Sequence, residues 1–207
     1  MGAIRTFAAI EIPNPVQQTA ADIQNQFRSL GLKAAWVRPE NIHLTLKFLG
    51  EIDPSRVGGV IAALTRAAAG FPPLPVALKD VGCFPKKGPP RVLWVGMSDP
   101  GGALAALHGK IERTLGALGF SPEKKAFSPH LTLARIKTPE GANLLRDRVR
   151  SMEPLNGAGF YLDAVTFFES QLTPRGSIYT VLERIPLTAK TPVKEDLEMG
   201  GEDHGRE

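Results

Sequence analysis

An α+β fold assembled from two related halves is predicted by three observations in this 207-residue chain. The four-residue word His-Leu-Thr-Leu occurs at His43 and again at His130. Segments with a period of two alternate with segments of period 3.6 in the same order around both copies. The distances match as well: Ile4 to His43 and Arg91 to His130 are both 39 positions (43 − 4 and 130 − 91), and His43 to Val76 and His130 to Asp163 are both 33 (76 − 43 and 163 − 130). A short word can recur by chance, but its recurrence inside the same order of elements at matched distances points to duplication. Two related lobes about a pseudo-twofold axis then present one histidine each to a shared cleft.

Residues 4–12 read as a strand. Asn14-Pro15 supplies an N-cap and a first-turn proline for a helix with Val16, Ala20, Ile23, Phe27 and Leu30 on one face, closed by Gly31. Residues 41–49 alternate, with Ile42, Leu44, Leu46 and Phe48 toward the core and His43, Thr45 and Lys47 on the open face. Asp53-Pro54 opens a second helix carrying Val57, Val60, Ile61, Leu64 and Ala68, and residues 75–81 return as a strand. The second half repeats this order: a strand at 91–97, a helix with Leu104, Leu107, Ile111, Leu115 and Leu118, the strand at His130, a helix at 140–150 and a strand at 160–168. An additional strand covers 177–185.

Composition sets the class. With 43% hydrophobic residues, residues 1–187 can bury a full core as one two-lobed domain. The single cysteine, Cys83, excludes an intramolecular disulfide and a cysteine metal cluster, and suits a reducing cytoplasm. No stretch is long and apolar enough for a membrane span. Residues 188–207 hold three Lys/Arg against six Asp/Glu, so the chain's net +4 divides into −3 for this tail and +7 for the body. The tail, which includes His204, lacks periodic apolar positions and is expected to be disordered. A basic body suits a polyanion, although an ordinary solvated basic surface explains the charge equally well.

The chemistry is carried by the repeated word. Residues two apart on a strand share a face, so each His-x-Thr sets an imidazole beside a hydroxyl while the leucines anchor the strand. Opening a cyclic phosphodiester requires a base for the attacking water and an acid for the departing ribose oxygen. Histidine, with an unperturbed pKa of about 6.5, serves either role near neutrality. Threonine hydroxyls can donate to the non-bridging oxygens as charge shifts. One such motif alone is more often the polar face of an ordinary strand; two in a duplicated frame reverse that weighting. A zinc site needs three or four ligands, and His108, at helical spacing between Leu104 and Ile111, reads as a structural residue at a helix edge. No metal and no cofactor are expected.

The sequence resembles the bacterial RNA 2′,3′-cyclic phosphodiesterases, also described as 2′-5′ RNA ligases, of the two-histidine phosphoesterase superfamily. The resemblance spans roughly the first 185 residues. It rests on Phe7-Ala8-Ala9-Ile10-Glu11-Ile12-Pro13, Asn41 to Gly50 around the first motif, Arg91 to Gly96, Phe127 to Arg135 around the second motif, and Phe168-Glu169-Ser170 followed by Pro174 and Tyr179. It implies a bilobal fold in which two antiparallel sheets with outer helices enclose a V-shaped cleft, and hydrolysis that leaves a 2′-phosphomonoester. By position it implies His43 as general acid, His130 as general base, and Thr45, Thr132 and Arg135 as phosphate-binding residues. Strict alternation places Arg135 on the face opposite His130, so the strand must twist or bulge there, or the side chain must reach round its edge.

Trp36 and Phe84, with the loop Pro85-Lys86-Lys87-Gly88-Pro89-Pro90, are candidates for base stacking and phosphate contact, and both rings are equally candidates for the core. The implied partner is an RNA with a 2′,3′-cyclic phosphate terminus, tRNA fragments among the candidates, bound by a cytoplasmic monomer that uses no membrane. Two rival readings remain open: an ATP-independent 2′-5′ ligase, and a non-catalytic module that grips an RNA end.

Overall fold

Strand β1 (Ile4–Glu11) is followed by helix α1 (Asn14–Arg28), the short strand β2 (Ala34–Trp36), β3 (His43–Ile52), α2 (Val57–Ala68) and β4 (Leu74–Phe84). The second half contributes β5 (Val92–Ser98), α3 (Ala103–Gly116), β6 (His130–Ile136), α4 (Ala142–Arg150), β7 (Phe160–Leu162), β8 (Ala164–Thr173) and β9 (Gly176–Pro186). This computed structural model describes residues 2–155, 159–174 and 176–189. The tail from residue 190 onward, His204 included, lies outside the described residues.

The strands hydrogen-bond in the order β7-β4-β5-β6-β3-β1-β8-β9, with β2 paired to β6. The two sides of this path meet at one residue pair, Leu44 against Leu131. These are the second residues of the two His-Leu-Thr-Leu words, so the pseudo-twofold axis runs between them. Reversing the order exchanges β1 with β5, β3 with β6 and β4 with β8, which is the duplication read from the sequence. The pairing adds one feature: β4 pairs with β5 of the second half, and β8 pairs with β1 of the first. Each lobe therefore takes its third strand from the other half, and the lobes do not coincide with the sequence halves. A single apolar cluster runs through both, from Ile10, Phe27 and Leu44 to Leu107, Leu131 and Phe167.

The helices back the sheets as their apolar periods require. In α1 the buried positions are Val16, Ala20, Ile23, Gln24 and Phe27. Its N-cap is Pro13 rather than Asn14, with no side-chain cap; the backbone enters the helix one residue earlier, which leaves Pro15 in the first turn. Asp53 caps a 3-10 turn ahead of α2 by accepting from the Ser55 N–H at 2.8 Å, and Asp99 accepts from the N–H groups of Leu104 and Ala105 at the start of α3. The expected strand at 160–168 is two strands, β7 and β8, that pair with β4 and with β1 and β9 respectively. Asp163 marks the break, accepting the Arg184 guanidinium through both carboxylate oxygens at 2.9 Å. Among the described residues no helix is long and apolar enough to cross a membrane.

Both histidine strands carry a β-bulge at the same place in the repeat. Between β1 and β3 the register passes from Thr45 to Lys47, skipping Leu46. Between β5 and β6 it passes from Thr132 to Ala134, skipping Leu133. An extra residue reverses the side-chain alternation beyond it. On β3, Lys47 turns inward and is 2% exposed, while Phe48 turns outward and is 51% exposed. This corrects the expectation from strict alternation, which put Phe48 in the core and Lys47 on the open face. On β6, Leu133 and Ala134 are both buried and Arg135 turns outward, back to the face that bears His130 and Thr132. The reversal resolves the difficulty with Arg135.

Candidate active site

His43 and His130 each begin their strand, and each ring is held in the same way. His43 Nδ1 lies 2.8 Å from the Asn41 carbonyl oxygen, and His130 Nδ1 lies 2.6 Å from that of Ser128. In both cases the carbonyl belongs to the residue two positions earlier. A carbonyl only accepts, so each Nδ1 carries a proton in its hydrogen bond, and each ring directs its Nε2 to chemistry. About the Leu44–Leu131 pair the antiparallel register sets His43 across from Thr132, and Thr45 across from His130.

The two sites differ in their surroundings. His43 is walled by aromatics: its ring centroid is 4.9 Å from Phe7, 6.3 Å from Phe168 and 5.3 Å from Tyr179, the last edge-on. Phe7, Ala9 and Phe168 form a small buried cluster separate from the main core. Burial in this setting pushes the His43 pKa from 6.5 down to about 4; the Asn41 hydrogen bond opposes the shift and the positive charge of Arg135 adds to it. His43 is therefore neutral near pH 7 in the free protein. His130 has Phe84 edge-on at 5.1 Å and Trp94 at 6.2 Å. Trp94 packs face to face with the backbone of Gly82, where any side chain would collide with the indole. Gly82→Ala is expected to cost about 1–3 kcal/mol by overpacking. It should also lower turnover by displacing Trp94 and Phe84 from His130; thermal melts and steady-state kinetics check both.

Two adjoining cavities occupy the cleft. One, of about 470 Å³, is bordered by His43, Thr45, Thr132, Arg135, Trp36 and Tyr179, with Arg5, Arg38 and Asn41 also on its wall. The other, of about 680 Å³, is bordered by His130, Phe84, Phe127, Arg91 and Lys125. Thr45 and Phe48 line both, so the cavities meet at the strand junction. The sequence-predicted set is thus brought to one cleft, with His43 and the phosphate-binding candidates in the first cavity and His130 and Phe84 in the second. Among the described residues no carboxylate pairs with Arg135.

Trp36 serves on two sides: it packs against the core, lines the first cavity, and has the Arg28 guanidinium 4.6 Å from its ring centre. His108 stacks on Phe127 at 4.0 Å on the wall of the second cavity, and Cys83 is buried. Sequence reasoning missed Phe7, Tyr179 and Phe48 as cleft residues. Phe7 and Phe48 sit among apolar strand residues and look like core until the register is known. Among the described residues no three His, Cys, Asp or Glu side chains are grouped as a metal site.

Known proteins share this fold. The model of the LigT-like phosphoesterase family matches twice, over residues 10–94 and 95–179, one match for each half. An RNA 2′,3′-cyclic phosphodiesterase of Thermotoga maritima is 36% identical over 180 residues, covering 86% of this chain and 93% of its own. One from Methanocaldococcus jannaschii is 32% identical over 180 residues, covering 87% and 99%. The crystal structure of a Thermus thermophilus protein, TT0787, superimposes with a TM-score of 0.77 at 28% identity, covering 91% of this chain and 100% of that one. Matched half by half over most of its length, this bilobal chain belongs to the LigT-like phosphoesterase family of the two-histidine superfamily.

Proposed function

We propose that this protein hydrolyses the 2′,3′-cyclic phosphate end of RNA to a 2′-phosphomonoester, without a metal ion, with His43 as general acid and His130 as general base. The observation that carries the reading is the pair of equivalent imidazoles, each fixed by its own backbone carbonyl and each free at Nε2. Water's oxygen bonds to phosphorus as its proton passes to His130 Nε2. The bond from phosphorus to O3′ breaks as O3′ takes a proton from His43 Nε2. Thr45, Thr132 and Arg135 hold the non-bridging oxygens, whose charge grows in the transition state. The names of the relatives support RNA as the substrate class.

His43 meets the substrate as a neutral ring, because its pKa in the free protein is about 4. The arriving phosphate places negative charge beside it and offsets Arg135, both of which favour the protonated imidazole. Binding at pH 7 is therefore expected to take up roughly one proton, and affinity should fall as pH rises. Calorimetry with a nucleoside 2′-monophosphate in buffers of different ionisation enthalpy, on wild type and on His43→Ala, measures the uptake that depends on His43; equal uptake in the two would remove His43 as the group protonated on binding. The function itself is tested by product analysis on a cyclic-ended oligonucleotide in EDTA. A 2′-phosphate end is expected, and a 3′-phosphate end would contradict the assignment.

A second reading, ATP-independent 2′-5′ joining, draws on the second cavity. It borders His130, the proposed base, and at about 680 Å³ with Phe48, Phe84 and Phe127 on its wall has room for far more than water. A 5′-hydroxyl RNA seated there would replace water as the attacking alcohol. Raising the concentration of such an RNA should then divert product from hydrolysis to a 2′-5′ linkage.

A further inference from the structure

The bulge that returns Arg135 to the cleft is held from the other half of the chain. Leu133, the extra residue of β6, directs its carbonyl away from β5 and accepts from the Val37 N–H at 2.9 Å. It also accepts from Gln24 Nε2 on α1 at 2.8 Å, and the same amide donates its second hydrogen to the Val37 carbonyl at 2.8 Å. Gln24 is 2% exposed, one of the few polar residues inside the core. Two carbonyl acceptors fix its amide orientation, because only the NH2 group can serve both.

Of the residues it joins, Val37 lines the first cavity and Leu133 is buried directly before the strand residues that lead to Arg135. On one side is β6, where Ala134 and Arg135 follow the bulge. On the other is the β2 run, with Ala35 paired to Arg135 and Trp36 to Ala134. The first helix of the second half reaches the opposite bulge in the corresponding way. There Lys47 donates to Glu112 of α3 at 2.8 Å and to the Ser121 carbonyl at 2.8 Å. Each histidine strand is thus bulged at the same place, and each bulge is tied to the first helix of the other half by a buried polar side chain.

We propose that Gln24 is a positioning residue for phosphate recognition: it locks the Leu133 bulge and the Trp36–Arg38 run together, and so aims Arg135 at the anion. A hydrophobic side chain of the same length would leave the Val37 carbonyl without that partner and the bulge free to slip by one residue. Such a slip turns Arg135 to the opposite face. This rests on the phosphate-binding role proposed above for Arg135.

The test is a double-mutant cycle on inorganic phosphate binding, by calorimetry or phosphorus NMR titration, with wild type, Gln24→Met, Arg135→Ala and the double variant. Arg135→Ala is expected to weaken binding about tenfold or more, and Gln24→Met about fivefold. In the Arg135→Ala background Gln24→Met should change affinity less than about twofold, because its effect passes through the missing guanidinium. Additive losses would mean Gln24 is only structural and would overturn the inference, as would an unchanged affinity in Gln24→Met. Arg135→Ala binding as tightly as wild type would instead remove the role of Arg135, and the inference with it. If Gln24→Met does not fold, Gln24→Asn, one methylene shorter and unable to reach both carbonyls, takes its place in the same cycle.

Discussion

Replacing His43 or His130 by alanine is expected to lower kcat/KM on a 2′,3′-cyclic nucleotide by roughly 10²- to 10⁴-fold each, the range for one positioned proton transfer. Both rings stand at the start of a strand whose next residue, Leu44 or Leu131, is fully buried, so neither replacement removes a core contact at the axis. The His130 variant loses edge contacts with Phe84 and Trp94. His43 also contacts Phe7 and Tyr179, so its variant loses some packing, and circular dichroism must accompany the kinetics. In the proposed mechanism both histidines act on one transition state, so the double variant should lose far less than the product of the single losses. Full activity in both single variants would remove the acid/base reading. Retained binding of a cyclic-ended RNA without turnover by the wild type would favour the RNA-end-binding module.

Much of this site was legible because the duplication carries its own control. The His-x-Thr words at equal distances from their flanking strands required two equivalent strands, and the Leu44–Leu131 pair is the contact that such symmetry demands. What the pattern could not reveal lies in pairing. A bulge is invisible to a reading that counts every residue as one step of alternation, and this is why Lys47 and Phe48 were assigned to each other's faces. β2 has three residues, too few to display a period, yet its pairing with β6 forms the wall beside Arg135. The pairing of β8 with β1 joins residues far apart in sequence, and the pairing of β4 with β5 joins neighbouring strands across the boundary between the repeats, so neither follows from a pattern within one half. The same symmetry explains a difference between the halves. The position that is Arg135 on β6 is Phe48 on β3, so the bulges deliver a cation to one side of the junction and an aromatic ring to the other.

Substituting either threonine by valine, which keeps the shape and removes the hydroxyl, should isolate the electrostatic part of the mechanism. Thr45 and Thr132 are half-buried on the cleft face, both line the first cavity, and the register sets each across from the histidine of the opposite half. In the proposed mechanism a hydroxyl there donates to a non-bridging oxygen, and the bond strengthens as charge accumulates on that oxygen in the transition state. Loss of one such donor costs about 10²- to 10³-fold in kcat in comparable oxyanion sites. The loss should fall on kcat more than on KM, because the ground-state cyclic phosphate carries a single spread charge and gains less from the donor. Thr45 lines both cavities and Thr132 only the first. Thr45→Val should therefore also alter the response to an alcohol nucleophile, while Thr132→Val leaves the ratio of alcoholysis to hydrolysis unchanged. Steady-state kinetics on a 2′,3′-cyclic nucleotide, with and without a competing 5′-hydroxyl nucleoside, separates these outcomes. A rise in KM alone for both variants would make the threonines binding groups and shift the burden of charge stabilisation to Arg135.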